Sequence, residues 1–369
     1  MTANRACPNR LQTCYVVLGM AAFACSGAWV AEAAPKAIDS ATPWELTLSG
    51  DDWKIASFEP GKGVEQRAFA EGFPLAAAET VAATVPGDVH WDLERAGKIP
   101  PVFYGQNSRQ IGWVAGREWW YRKTFATPKS WQGKTVRLRF EGVDYLADVW
   151  LNGKLLGRHE GQFTPFEFDV SKDVRSDGEN VLTVLIHPAP AAMREVIAAG
   201  KGEWPVMQVM HSVYPYWKSM TNAGWDWAAK IITMGLWKDV RLVASEGVAL
   251  GNLIVLPELA PPYERATLDV RLKLTSDQAR MVELTYRVRC LTAAGQPTVA
   301  ARKLDLSAGE QPSTYSMDVA HPQLWWPNGY RQQNLYEIEV SVWTADNAPE
   351  LARAHVTLGI RELKELPNP

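Results

Sequence analysis

Three consecutive residues, Trp225, Asp226 and Trp227, place a carboxylate between two indole rings. An indole offers a large apolar face with one polar group, and a carboxylate accepts hydrogen bonds from hydroxyls. Together they suit a ligand with an apolar face and a rim of hydroxyl groups, which is the chemistry of a sugar. Tryptophans are also common in cores, where Asp226 would cap a turn. These residues alone leave a sugar site and a packed corner open.

Other catalytic chemistry finds no support in the sequence. The six histidines occur singly, with neither His-x-His nor His-Glu-x-x-His spacing, so we predict structural histidines and no metal site. Cys290 lies mid-strand in an alternating apolar run, which favours a core position over a nucleophile. There is no Gly-x-Ser-x-Gly motif. We therefore predict no cofactor and assign no catalytic residue within this chain.

The elements that would hold Asp226 follow the period-two pattern of β-strands. In Lys134–Glu141, three apolar residues alternate with arginines, which is typical of a strand with one wet face. Asn152-Gly153 predicts a two-residue hairpin turn, because both positions of a type I′ turn need positive φ. Val181–Ile186 is a buried, β-branched run. The pattern predicts a β-sandwich.

Two short helices and one long loop interrupt this sandwich. Val89–Ala96 has Asp88 as its predicted N-cap, and Ala191–Ala199 is the second predicted helix. Lys201–Trp227 is rich in aromatic residues but has little alternation, so we predict an ordered loop that carries the Trp225–Trp227 stretch.

A second all-β unit follows a boundary predicted at Ser245–Gly247. Alternating apolar residues recur in short runs over about a hundred positions, as in an immunoglobulin-like sandwich. We predict strands at Leu304–Leu306, Leu335–Trp343 and His355–Ile360, among others, and a patternless tail from 361 to 369.

The N-terminus is typical of a secretory signal. Arg5 and Arg10 precede the apolar run Tyr15–Ala24, and Ala31-Glu32-Ala33 matches a small-x-small cleavage site. We predict a signal peptide over residues 1–33 and a periplasmic or secreted protein. Lipid attachment at Cys25 is the weaker alternative, because Ala22 stands where a bulkier aliphatic residue is expected.

Composition narrows the choice of partners. The chain has 369 residues, a formal charge of −3 and a pI near 6.1, so nothing attracts nucleic acid and we predict no such partner. Its 17 tryptophans are unusual, because indoles are costly to expose unless concave or stacking surfaces use them.

Several motifs, in this order, resemble glycoside hydrolase family 2 and its β-mannosidase branch most of all. The resemblance covers essentially the whole chain after the signal segment. The motifs are Val85-Pro86-Gly87-Asp88-Val89-His90, Phe103-Tyr104-Gly105, Trp119–Phe125, Phe140–Val143, Val149–Gly153, Gly161–Val170, Gly224-Trp225-Asp226-Trp227 and Leu324-Trp325-Trp326-Pro327-Asn328-Gly329-Tyr330.

The resemblance implies a fold class and a domain order. It implies an all-β chain with a jelly-roll sugar-binding sandwich over 34–246 and an immunoglobulin-like sandwich over 247–360. In the family a (β/α)8 barrel follows and carries two glutamates, an acid/base and a nucleophile. The resemblance further implies that Trp225 and Asp226 reach over the barrel mouth to the terminal sugar. Carbohydrate and a catalytic barrel are thus the expected partners.

We expect this chain to lack the barrel and to be inactive alone. Ten residues follow Gly359, where the barrel would begin, whereas a barrel takes about 250. The chain also has no Asn-Glu dipeptide, which holds the acid/base glutamate in such enzymes. Faces that normally dock on a barrel would stay exposed, so we expect self-association. An exo-β-glucosaminidase, a β-galactosidase, a stand-alone carbohydrate-binding module and a truncated product are the alternatives.

Overall fold

The computed structural model describes residues 44–74, 80–191, 193–194, 216–219, 229, 231–345 and 349–363. The predicted signal peptide, most of the predicted helix Ala191–Ala199 and of the loop Lys201–Trp227, and residues 364–369 of the tail lie outside the described residues. No helix within the described ranges has the length and apolar character needed to cross a membrane.

The first sandwich consists of two antiparallel sheets. The six-stranded sheet has the order β3-β2-β4-β9-β6-β7, and the four-stranded sheet has the order β1-β10-β5-β8. Their strands are β1 (Glu45–Thr47), β2 (Gly50–Phe58), β3 (Thr80–Val85), β4 (Glu118–Ala126), β5 (Thr135–Phe140), β6 (Leu146–Leu151), β7 (Lys154–Glu160), β8 (Phe166–Asp169), β9 (Glu179–Ile186) and β10 (Val240–Ser245).

Alternation of side chains builds the core between these sheets. In β5, Val136, Leu138 and Phe140 are buried while the arginines between them face outward. Leu138 stands opposite Leu242 of β10, which sets the register of the four-stranded sheet. The turn between β6 and β7 has positive φ at both Asn152 and Gly153, which confirms the predicted hairpin.

The six-stranded sheet is buried on both faces near its centre. Trp119 faces the sandwich core, whereas Trp120 faces outward and is covered by the chain around Phe69. Trp150 stacks on both Trp120 and Phe69, at centroid distances of 5.3 and 5.6 Å. Both members of the Trp119-Trp120 pair are therefore packing residues.

Two short helices whose residues are all described lie on this sandwich. Helix α1 (Lys62–Glu65) covers the outer face, and α2 (Val89–Arg95) closes one end. Asp88 caps α2 by accepting a 2.8 Å hydrogen bond from the His90 amide, which confirms the predicted N-cap. Short 3-10 segments occur at Asn107–Arg109, Gly112–Gly116 and Lys129–Trp131.

The second sandwich is also antiparallel throughout. A three-stranded sheet, β11-β12-β15, faces a four-stranded sheet, β14-β13-β16-β17, so the predicted all-β fold class is confirmed. The strands are β11 (Val248–Leu259), β12 (Arg265–Ser276), β13 (Arg280–Cys290), β14 (Thr298–Leu306), β15 (Gly309–Ala320), β16 (Tyr336–Thr344) and β17 (Glu350–Leu358).

Some predicted elements differ from the structure in extent. The twelve-residue β11 has no counterpart among the predicted strands, because Pro257 and a bulge after Gly251 break its alternation. A sheet edge tolerates both features, and β11 is an edge strand. Within the Gly161–Val170 motif, only Phe166–Asp169 forms a strand, and Phe163 lies before it and is exposed.

The two sandwiches contact each other directly at their junction. The Glu246 amide donates to the Leu351 carbonyl at 2.7 Å, and the Trp44 indole donates to the Glu350 carboxylate at 2.8 Å. Glu350 is itself buried, and Arg353 pairs with it at 2.8 Å.

Candidate functional site

The predicted sugar contacts Trp225, Asp226 and Trp227 lie outside the described residues, but the chain on both sides of them is described. Residues 216–219 precede them and residues 231–237 follow. We call these two segments the stems. The candidate site is therefore built from the stems and from the sandwich end on which they lie.

Asp144, in the connection between β5 and β6, is the centre on which the two stems converge. It is buried, and so is Lys218 of the first stem, which forms an ion pair with it. From the second stem, the Thr233 hydroxyl donates to the other Asp144 oxygen at 2.6 Å. Lys218 also donates to the Thr233 carbonyl at 2.7 Å, so the stems bind each other as well as Asp144.

Gln162 adds a third segment to this cluster. Its side-chain amide donates to Asp144 at 3.2 Å and accepts from the Ser219 amide at 2.6 Å. Its own backbone amide donates to the Trp217 carbonyl at 2.9 Å, and its carbonyl accepts from the Trp237 indole at 2.8 Å. Gln162 therefore contacts Asp144 and both stems. We call Asp144, Gln162, Lys218 and Thr233 the Asp144 cluster.

Burial disfavours the charged forms of both Asp144 and Lys218. It raises the pKa of the Asp144 carboxyl, against the opposing effect of Lys218 and the Thr233 hydroxyl. It lowers the pKa of the Lys218 ammonium, against the attraction of Asp144. Removing two charges from water costs free energy that their mutual attraction only partly offsets. The net contribution of the pair to stability is therefore small compared with the attraction between its two charges.

The second stem also pairs with the residues around the cap of α2. The Met234 amide donates to the second oxygen of Asp88 at 2.9 Å, and the Val89 amide donates to the Met234 carbonyl at 2.9 Å. Gly235 exchanges two backbone hydrogen bonds with Asp144, at 2.8 and 3.0 Å. The Pro86-Gly87-Asp88 motif thus has a structural role, which is to hold the returning stem.

Gly235 fits this position because of its conformation and its surroundings. Its φ is +148°, a value that other residues rarely adopt. A Cβ there would stand 2.8 Å from the Tyr121 hydroxyl and 3.0 Å from the Gly87 carbonyl. The stem can therefore lie this close to α2 and β4 only with a glycine.

Aromatic side chains are exposed beside the first stem. Trp217 is 79% exposed, although Lys218 next to it is 5% exposed. Phe163 is 56% exposed and packs edge-on against Trp237, with ring centroids 5.9 Å apart. Flat apolar rings at a surface suit the apolar face of a sugar. The stems therefore lie beside a surface of the chemistry predicted for the site.

A cleft of about 360 Å³ between the two sandwiches has a different chemistry. Arginines and glutamates of β5, β8 and β10 line one side, and no tryptophan, tyrosine or phenylalanine is among the lining residues. Arg139 and Arg241 both pair with Glu141, at 2.7 and 2.5 Å. The charges of this cleft largely satisfy one another, as in a structural interface.

The described residues form no metal site. No three histidine, cysteine, aspartate or glutamate side chains gather closely enough within the described ranges to hold an ion. Cys290 is the last residue of β13, at the end of the strand and not in its middle as predicted, and it is partly buried against the core of the second sandwich.

Sequence reasoning missed the Asp144 cluster although signals for it were present. Asp144 follows directly on the Phe140–Val143 motif, and Gln162 lies inside the Gly161–Val170 motif. Lys218 is a single cation after Tyr214-Pro215-Tyr216-Trp217, where a charge is unusual. Nothing in the sequence alone indicates that these residues meet.

Family models match most of the chain. Residues 65–238 match the galactose-binding-like domain of glycosyl hydrolase 2, and residues 248–361 match a second domain of glycosyl hydrolases family 2. The chain belongs to glycoside hydrolase family 2. The two matched ranges correspond to the two sandwiches, and the first includes both stems.

Individual family 2 relatives are similar over the same region. The chain is 30% identical over 261 residues to β-mannosidase B of Emericella nidulans, which is 70% of this chain and 30% of the relative. The crystal structure of β-D-mannosidase from Dictyoglomus thermophilum has a TM-score of 0.63 and 26% identity, covering 87% of this chain and 36% of that one. An exo-chitosanase of Amycolatopsis orientalis shares the fold, with a TM-score of 0.63 at 22% identity over 87% of this chain and 34% of its own. The chain spans about a third of the length of these relatives.

Proposed function

We propose that this chain forms the sugar-contacting portion of an exo-acting family 2 enzyme that releases terminal β-linked mannose. The observation that carries the proposal is the 30% identity to a β-mannosidase over 261 residues. In this proposal Asp226 accepts hydrogen bonds from sugar hydroxyls, and Trp225 and Trp227 flank it with apolar faces.

The geometry of the stems supports this role. Both stems lie on one end of the first sandwich, because Lys218 and Thr233 bind the same carboxylate. Exposed Trp217 and Phe163 lie beside the same position and offer further apolar contact area for a sugar.

The complete enzyme would need a catalytic domain to cleave the glycosidic bond. A retaining glycosidase uses two carboxyl groups about 5 Å apart on opposite sides of the bond. We propose that a barrel supplies these groups as two glutamates, and that this chain provides one wall of the subsite for the terminal sugar.

Titration of the purified chain with β-1,4-mannobiose tests the sugar-binding role. We expect a saturable heat by calorimetry, and we expect Asp226→Ala to weaken binding about tenfold to a hundredfold, the usual effect of losing a hydrogen bond to a charged group. The control is Asp177→Asn, which removes an exposed carboxylate far from the stems and should leave binding unchanged.

The same titration with cellobiose tests the choice of sugar. Mannose and glucose differ in the orientation of one hydroxyl, so a mannoside site should bind mannobiose more tightly. Equal binding of both disaccharides would contradict the mannoside assignment. Absence of saturable heat with either one would refute sugar binding by this chain.

We also propose that the protein is exported, on the basis of the predicted signal peptide over 1–33. Residues 1–40 fused to a periplasm-dependent reporter should direct its export. Retention of that fusion in the cytoplasm would refute the proposal.

A further inference from the structure

We propose that the Asp144 cluster is a clamp that holds the two stems together at one end of the first sandwich, so that Asp144, Gln162, Lys218 and Thr233 are positioning residues for sugar recognition. The inference rests on the proposed function for its sugar-binding part. Its structural part rests on the described contacts alone.

One buried carboxylate connects three segments of the chain. The Asp144 carboxylate accepts hydrogen bonds from residues of three chain segments, which are Gln162, Lys218 of the first stem and Thr233 of the second. Its backbone exchanges two more with Gly235. A single buried residue therefore determines where the chain leaves the sandwich and where it returns.

The centre of the Asp144 cluster is a buried ion pair. Apolar side chains could fill the same volume and would often stabilise a fold as much as a buried ion pair does. Hydrogen bonds to a carboxylate are directional, so they fix the orientation of the stems, which apolar packing does less sharply. The cluster therefore suits a segment whose position matters for recognition.

Neighbouring residues of the first stem differ in exposure. Lys218 is almost fully buried, whereas Trp217 before it is largely exposed beside the predicted sugar surface. The ion pair thus anchors the stem inward while its neighbour stays accessible. The Ser219 amide, bound to Gln162 at 2.6 Å, is the last described contact before the stretch begins.

The experiment compares two substitutions at one residue. Thr233→Val keeps the shape of the side chain but removes the hydroxyl that donates to Asp144, and Thr233→Ser keeps the hydroxyl. Thr127→Val is the matched control, because Thr127 is a buried threonine with a 2.7 Å hydrogen bond at the opposite end of β4. Hydrogen–deuterium exchange and mannobiose titration are measured on the full chain for all three variants.

We expect Thr233→Val to accelerate amide exchange at least tenfold in peptides that span 216–236, and to weaken mannobiose binding at least fivefold. Thr233→Ser should restore both quantities, and Thr127→Val should change neither. Peptides from β13 serve as the internal reference. Rescue by serine separates positioning from a general loss of stability.

Each contrary result has a distinct meaning. Unchanged exchange in Thr233→Val would overturn the clamp. Faster exchange with unchanged mannobiose affinity would overturn its role in sugar recognition. If the wild-type chain binds no sugar, the proposed function fails, and exchange alone then decides whether the clamp holds the stems.

Discussion

At the scale of single residues, three buried or half-buried carboxylates at the stem end of the first sandwich differ in how completely their oxygens are hydrogen-bonded. Asp88 accepts hydrogen bonds from the amides of His90 and Met234, and Asp144 is paired with Lys218. Asp92 of α2 accepts from the Thr84 amide at 3.1 Å, but its second oxygen has no partner among the described residues. Asp92 is therefore the carboxylate for which burial is least compensated.

Burial raises the pKa of Asp92 to about 6 from an ordinary value of 3.8, with the Thr84 amide and Arg95 opposing the shift. The folded protein therefore binds a proton more tightly than the unfolded chain does. Between about pH 4 and pH 6 the folded state holds the proton that the unfolded state has lost. The stability contributed by this group is complete below pH 4 and is lost as the pH rises through 6.

We predict that Asp92→Asn stabilises the protein at pH 7.5 by about 2 kcal/mol, because it removes the charge and keeps an acceptor for the Thr84 amide. The gain should shrink to nearly zero at pH 4, where the wild-type carboxyl is protonated. Urea unfolding at the two pH values measures the difference. A gain that is the same at both would show that the charge of Asp92 is not its cause.

At the scale of elements, the outer face of the six-stranded sheet depends on the segment that begins with α1. The Glu118 carboxylate accepts from the amides of Gly61 and Gly63 at 2.9 and 2.6 Å, which holds the start of α1 against the sheet. Phe69 then stacks on Trp150. This segment explains why β4 is buried on both faces at its centre.

We predict that Gly63→Ala destabilises the protein by about 1 to 3 kcal/mol. The added Cβ would stand 2.2 Å from the indole nitrogen of Trp120, which is buried and cannot move away. Denaturant unfolding measures the loss. Gly72→Ala in the same segment is the control, since a Cβ there meets nothing within 4 Å and should change stability little. Equal effects of the two substitutions would contradict the packing argument.

At the scale of the whole molecule, aromatic side chains are concentrated at the exposed surface near α2. Phe103 and Tyr104 are 81% and 77% exposed, and Trp91 of α2 and Trp113 are also exposed. Exposed apolar area of this kind favours association with another surface. In an isolated chain, a second copy can provide that surface.

We predict that the chain self-associates at micromolar to millimolar concentration, visible as a sedimentation coefficient that rises with concentration. The double variant Phe103→Ser/Tyr104→Ser should shift this rise to higher concentration. Leu155→Ser on β7 is the control, as it removes one exposed apolar side chain from a different surface. A wild-type chain that stays monomeric at every concentration would refute the prediction.

Local features of this protein were predictable from the sequence. Period-two alternation, the Asn152-Gly153 turn and the cap at Asp88 each depend on neighbouring residues, so their structures follow from short-range sterics and hydrogen bonding. The two sandwiches and the family motifs could be recognised because they too are made of short local patterns. Edge strand β11 was not predicted, because Pro257 and the bulge after Gly251 interrupt the alternation from which strands are predicted.

The pairing of distant residues was decided only by the tertiary structure. Asp144 and Lys218 are 74 residues apart, and nothing local distinguishes this aspartate from others in loops. Likewise, the two-sided burial of β4 follows from the segment that covers Trp120, and no periodicity within the strand encodes it. The sequence predicts a sugar-compatible trio at Trp225, Asp226 and Trp227. Only folding could bring their stems together on one carboxylate, because non-local hydrogen bonds depend on topology and not on spacing along the chain.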